Sequence, residues 1–225
     1  MPDTMAMAPR LEDFYGSIRL PVSLPPGISA MNPYSEPVTR DYSTMFFRKY
    51  YNDCQPRTLL IGINPGRFGA GVTGVMFTDP VRLESHCGIA NDLPKRQELS
   101  SVFIYRMIDV CGGAAAFYSR YLFSAVCPLG FLKEGKNLNY YDEPGLADAL
   151  EEFMAESVRM LLDMGVHRDR AYVLGMGKNA LHMQRLNERY SYFGELVALP
   201  HPRWIMQYRL RRMEEFVGLY QSYLA

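Results

Sequence analysis

Two side chains suited to a hydrolytic site stand far apart in the sequence, Asn64 and His201. Asn64 follows the apolar run Thr58-Leu59-Leu60-Ile61 and leads straight into Pro65-Gly66, with Gly69, Gly71, Thr73 and Gly74 keeping the next segment small. His201 is held between Pro200 and Pro202, just beyond the run Glu195–Leu199. A carboxamide takes no proton at neutral pH, so Asn64 suits orienting a water rather than serving as a base. An imidazole on stiff backbone suits donating a hydrogen bond to developing negative charge. Both residue types also fit structural duties, Asn64 capping a turn after a core strand and His201 packing against one. The glycine-rich string lacks the Lys-Ser/Thr of a P-loop and the spacing of a dinucleotide fingerprint.

Four short apolar runs must position these residues. Thr58–Ile63, Arg120–Val126, Ala171–Leu174 and Glu195–Leu199 each read as a buried strand bounded by turn residues. Between them lie helix patterns at Glu98–Val110, at Gly145–Met164 and from Lys178 to about Glu188. A final helix is expected from about Ile205 or Met206 to Tyr220, and an earlier one over Asp41–Tyr51 with Asp41 as N-cap. Thr78–Arg96 reads as irregular and Lys133–Asn139 as a polar loop. Residues 1–40, rich in proline, read as an extended wrap with a short helix at Leu11–Leu20. Strands alternating with helices predict an α/β fold, a three-layer α/β/α sandwich on a four-stranded, mainly parallel sheet. The chain is expected to form a single domain over 1–225, with 1–57 an N-terminal extension packing on the core. Parallel strands would bring Asn64, Ser124 with Cys127-Pro128, Gly175–Lys178 and His201 to one carboxyl edge, where such sheets bind ligands.

The charge balance narrows the partners. Formal net charge is zero, so any affinity for nucleic acid must come from a local patch. One exists: Arg203, Arg209, Arg211 and Arg212 fall within ten residues that contain no acid. The same segment holds the only tryptophan, Trp204, a side chain able to unstack bases, although core packing would explain it too. Lys178 at a helix start could meet a phosphate with both its ammonium and free backbone N–H groups. The cysteines, Cys54, Cys87, Cys111 and Cys127, form no C-x-x-C pair and no zinc or iron–sulfur spacing and read as isolated thiols, and hydrolysis by a positioned water with a preorganised donor requires neither metal nor cofactor. The N-terminus lacks a signal-like apolar stretch and no run reaches membrane-spanning length, which suggests a cytoplasmic protein.

The string Gly62-x-Asn64-Pro65-Gly66-x-Phe68-Gly69, then Thr73-Gly74-Val75 and Phe77, resembles the first motif of the uracil-DNA glycosylase superfamily. It is most similar to the single-strand-selective monofunctional branch, in a bacterial form. Cys127-Pro128-Leu129 followed by Gly135-Lys136-Asn137-Leu138, and Leu199-Pro200-His201-Pro202, extend the resemblance over most of the chain from 58 onward. The resemblance implies a glycosylase that flips uracil out of DNA and hydrolyses its N-glycosidic bond in base-excision repair, as a monomer and without lyase chemistry. Asn64 would then position the attacking water, and His201 would donate to uracil O2. Phe77 would stack on the base, and Ile63, Gly66 and Ala70 would line it, the last two at its C5 edge. DNA contacts would fall to Lys136, Lys178, Arg203, Trp204, Ile205, Met206 and Arg209.

Two departures from the family pattern carry consequences. The asparagine expected before Cys127-Pro128-Leu129 is missing, and Ser124 is the polar residue nearest its place. A hydroxyl that both donates and accepts would read the base less strictly, widening the range towards xanthine or other deaminated bases. The Ser-Pro-Arg-Asn run after His-Pro is replaced by Arg203-Trp204-Ile205-Met206, so the wedge residue lies among those four. Three other readings stay open: the same fold preferring xanthine or hypoxanthine, a catalytically silent nucleic-acid-binding module, and a nucleotide-binding α/β protein using the glycine-rich loop for phosphate.

Overall fold

The computed structural model describes residues 5–225. Among these residues, seven strands run in chain order: β1 Ile28–Met31, β2 Thr58–Gly62, β3 Tyr121–Ala125, β4 Gly130–Lys133, β5 Lys136–Leu138, β6 Arg170–Leu174 and β7 Glu195–Leu199. Four of them build the central sheet in the order β3-β2-β6-β7, and every pairing in it is parallel. The strands therefore end at one edge. Leu59, Leu60 and Ile61 of β2 are fully buried, as expected of an inner parallel strand with both faces covered.

Several local expectations are corrected. The segment 133–139 is not a loop: β4 and β5 form a hairpin that pairs with β1 in a second, antiparallel sheet. Glu134 and Gly135 both have positive φ, the conformation that a two-residue hairpin turn needs. The strands are three or four residues long and carry Lys133, Lys136 and Asn137, too short and too polar for an apolar pattern. Thr78–Arg96 contains the helix Pro80–Ser85, where Asp79 caps through Arg82 N and Pro80 starts the first turn. The Asp-Pro pair thus begins an element rather than breaking one. Asp41 lies inside a helix that starts at Pro37 and ends at Tyr50. The 145–164 helix is interrupted at Leu150, giving Leu146–Ala149 and Glu151–Asp163. The last helix starts at Pro202 rather than 205 and is split into Pro202–Tyr208 and Met213–Leu224.

The N-terminal region is not a simple wrap. It contains a helix, Met7–Ser17, as well as β1 and a 3₁₀ turn at Pro33–Ser35. Its role towards the site is visible in its contacts. Tyr34 OH donates to Gly74 O (2.9 Å), and Thr39 Oγ1 donates to Val72 O (3.1 Å). A side chain at Gly74, where φ is +69°, would also collide with Ser43. The glycine-rich loop is therefore clamped from outside by residues 34–43.

Candidate active site

Asn64 lies just past β2, where the second sheet meets the first. Its Oδ1 accepts from Tyr140 N (3.2 Å) and its Nδ2 donates to Leu138 O (3.3 Å). A backbone N–H can only donate and a carbonyl can only accept, so these two bonds fix which end of the amide is which. Tyr140 is anchored in turn, its OH donating to Asn179 Oδ1 (3.0 Å), while Asn179 Nδ2 donates to Leu174 O (3.2 Å). The carboxamide is thus held by β5 and, through Tyr140, by the end of β6.

His201 is the N-cap of Pro202–Tyr208, and its Nδ1 accepts from Arg203 N (3.1 Å). With Nδ1 occupied as an acceptor, the neutral ring carries its hydrogen on Nε2. Burial, reinforced by the Arg203 guanidinium, pushes the imidazole pKa down to about 4, so the ring is a neutral donor at physiological pH.

Phe77 completes the core of the site. Its φ is +56°, a left-handed conformation costing a bulky residue about 1–3 kcal/mol. Thr73 holds the turn, its hydroxyl donating to Thr78 O (2.7 Å) and accepting from Val75 N (3.1 Å). The ring lies against the end of β2, where a Cβ at Gly62 would come within 2.8 Å of it, and its centroid is 6.1 Å from that of His201.

These elements enclose a cavity of about 60 Å³ lined by Ile63, Asn64, Gly66, Ala70, Phe77, His201 and Arg203 among others. Asn64 and His201, 137 positions apart in sequence, therefore share one small space. A second cavity of about 280 Å³ adjoins it through Ile63 and His201 and is bounded by Lys178 and Trp204. A third, of about 380 Å³, adjoins through Asn137 and Arg203 and is bounded by Arg67, Phe68 and Lys136.

Three sequence expectations are corrected here. Ser124 does not line the cavity; it is buried, and its hydroxyl shares a hydrogen bond of 3.2 Å with Tyr15 OH. Ile205 and Met206 are buried in the helix that starts at Pro202, so neither is available to DNA. Helical spacing puts Arg203 and Trp204 outside instead, Trp204 being 39% exposed with the Arg209 guanidinium 4.9 Å from its ring centroid. Arg212 is paired with Glu215, Arg203 lines the cavity, and Arg209 stands over Trp204.

Glu98, Ser100, Asn137 and Asn139 also line the cavity, and none was singled out by sequence. Asn137 sits in the Gly-Lys-Asn-Leu string, which gave a usable signal. Glu98 reads from sequence only as the start of a helix pattern, with no mark of its reach into the cavity. Its carboxyl is pushed up to a pKa of about 7, first by burial and then by the Asp79 carboxylate, with Arg203 opposing.

Ser124→Asn supplies a direct check on the altered assignment. The side chain would be forced into the packed contact with Tyr15, an overpacking expected to cost about 1–3 kcal/mol. We expect a lower urea midpoint and an unchanged range of excised bases. A narrowed range would place residue 124 back in the cavity.

A parallel sheet whose carboxyl edge carries a glycine-rich loop, a fixed carboxamide and a neutral histidine defines a family. The model of the uracil DNA glycosylase superfamily matches residues 48–225, and the chain belongs to that superfamily. Among solved structures it is similar to wild-type SMUG2 of Pedobacter heparinus, at 42% identity over 97% of each chain and a TM-score of 0.95. No curated protein sequence matches it. The chain is accordingly a DNA glycosylase, a hydrolase of N-glycosyl bonds with DNA as its substrate. Among the described residues, no helix is long and apolar enough to cross a membrane, and no cluster of three or more His, Cys, Asp or Glu could hold a metal.

Proposed function

We propose that the cavity receives a uracil rotated out of DNA, and that the enzyme hydrolyses its glycosidic bond to leave an abasic site in base-excision repair. The observation that carries this reading is the convergence of a locked Asn64 amide and the His201 Nε2–H on one cavity with an aromatic wall. Asn64 Oδ1 spends one lone pair on Tyr140 and keeps the other to orient a water towards the sugar C1′. As the C1′–N1 bond breaks, its electron pair passes to the base and charge develops at O2. The His201 Nε2–H is preorganised to meet it. The ring is neutral beforehand, so it donates without having to lose a charge. The water completes the reaction by bonding to the cationic sugar carbon and releasing a proton to solvent. Among the described residues no lysine lines the cavity, which suits simple hydrolysis without a covalent lyase step.

Trp204 is the side chain we assign to the gap left by the extruded base, with Lys178, Arg203, Arg209 and Lys136 on the phosphates. Stacking of this kind contributes roughly 1–3 kcal/mol. Trp204→Ala is therefore expected to slow excision from duplex DNA more than from single strands, where no gap needs filling. Equal slowing on both would remove Trp204 from that role.

The proposal is tested with an oligonucleotide bearing one uracil, incubated without added metal and then cleaved at abasic sites with alkali. Strand cleavage that depends on the protein supports it. Retention of the uracil strand with no cleavage would favour a silent binding module instead.

A further inference from the structure

The carboxyl group of Glu98 occupies a place in the cavity that uracil excision does not use. Glu98 is the N-cap residue of Leu99–Val110, yet its side chain makes no capping bond. It turns away from its own helix and lies over the glycine-rich loop. A Cβ at Gly66 would stand 2.8 Å from Oε1, and one at Gly69 would overlap Oε2. The carboxyl therefore takes the space that side chains at 66 and 69 would fill, on the cavity wall formed by Gly66 and Ala70. The charged groups around it are Asp79 from the loop before Pro80–Ser85, Arg203 from the helix after His201, and Arg67 and Lys136 around the adjoining cavity. Beyond Glu98 that wall opens into the 380 Å³ cavity rather than into packed core.

This inference rests on the orientation proposed above, with the sugar carbon at Asn64 and the electron-rich edge at His201. The wall by Gly66 then faces C5 of a pyrimidine, a carbon with no lone pair. In a purine nucleoside held by the same glycosidic bond, N9 replaces N1 and N7 replaces C5. N7 carries a lone pair, and its protonation makes the purine a good leaving group.

We propose that Glu98 is the general acid for excision of deaminated purines, delivering its carboxyl proton to N7 of the extruded base. The O–H bond of Glu98 breaks as N7–H forms. The C1′–N9 bond then breaks with its electron pair returning to the imidazole ring, and the base leaves neutral. Water adds to the sugar carbon and loses its proton to solvent, and the Glu98 carboxylate is reprotonated from solvent. His201 serves the purine at N3 as it serves the pyrimidine at O2. A carboxyl titrating near neutrality suits the task, since it is still partly protonated at physiological pH.

The test compares oligonucleotides carrying uracil, hypoxanthine or 7-deazahypoxanthine, with wild type and Glu98→Gln, from pH 5.5 to 8.5. Glutamine keeps the shape but has no proton to transfer. General acid catalysis contributes about 10²–10⁴-fold, so Glu98→Gln is expected to slow hypoxanthine release at least about 100-fold while uracil release changes far less. In wild type the hypoxanthine-to-uracil rate ratio should fall by about tenfold per pH unit above 7, and Glu98→Gln should flatten it. The 7-deaza base should be as slow in wild type as in the variant. Equal slowing of both natural bases by Glu98→Gln, or hypoxanthine release that ignores replacement of N7, overturns the assignment. So does a wild type that releases uracil but no hypoxanthine at any pH, and that result leaves the uracil reading standing. Failure to release any base would instead bring down the underlying glycosylase site.

Discussion

Asn64→Ala is expected to slow base release by at least about 100-fold, the scale on which misplacing a reacting group by an ångström acts. Neither of the amide's bonds touches DNA; one accepts from Tyr140 N and the other donates to Leu138 O. The loss should therefore fall on the single-turnover rate and leave the dissociation constant for uracil DNA nearly unchanged. Stability should suffer as well. Removing the amide strips a partner from a backbone N–H and a backbone carbonyl, each costing about 1–3 kcal/mol where water cannot replace it. The expected signature is a lower urea midpoint, a slow enzyme and intact DNA affinity. An Asn64→Ala protein that excised uracil at near wild-type rate would show that the water is oriented elsewhere.

His201→Ala should cost about 10²–10³ in rate, the usual result of removing one preorganised donor from a site of developing negative charge. It also removes the cap of Pro202–Tyr208, which costs about 0.5–2 kcal/mol and could displace Trp204 with the helix. His201→Asn separates the two effects: a short side-chain oxygen can still accept from Arg203 N but no donor reaches the base. We expect the asparagine variant to recover the urea midpoint and remain slow. Recovery of the rate together with the stability would make His201 a cap and nothing more. The pH dependence has a definite sign. The folded pKa of about 4 lies below the ordinary 6.5, so the unfolded chain binds more protons between those values. The histidine's contribution is thus intact above pH 6.5 and is lost as pH falls towards 4. Excision of uracil should not decline on account of His201 until the pH approaches 4.

Two helix starts differ from the sequence reading for one cause. Asp79-Pro80 lies in a stretch that reads as irregular, and Pro202 lies ahead of the expected helix start near 205, but proline in the first turn after a capping residue starts a helix. The start of the last helix at 202 places Ile205 and Met206 on the buried face and leaves Trp204 outside. The β4–β5 hairpin was illegible because its residues are polar and its strands are short. Its last strand nevertheless supplies Leu138 O, and the segment just after it supplies Tyr140 N, the two backbone groups that orient Asn64.

By itself the sequence determined the strands of the central sheet, their shared edge, and the pair Asn64 and His201 delivered there. Chain order and strand periodicity constrain backbone placement, and a strand end is a backbone property. Only the tertiary structure decided which neighbouring side chains face the cavity. Every residue of β3 is buried, because helices cover both faces of the sheet, so alternation carries no mark of which face holds the site. Ser124 therefore turned out to bond Tyr15 from the N-terminal helix, 109 positions away. Glu98 reached the cavity for the complementary reason. Two glycines leave a space that only packing reveals, and a carboxyl from a distant helix start fills it.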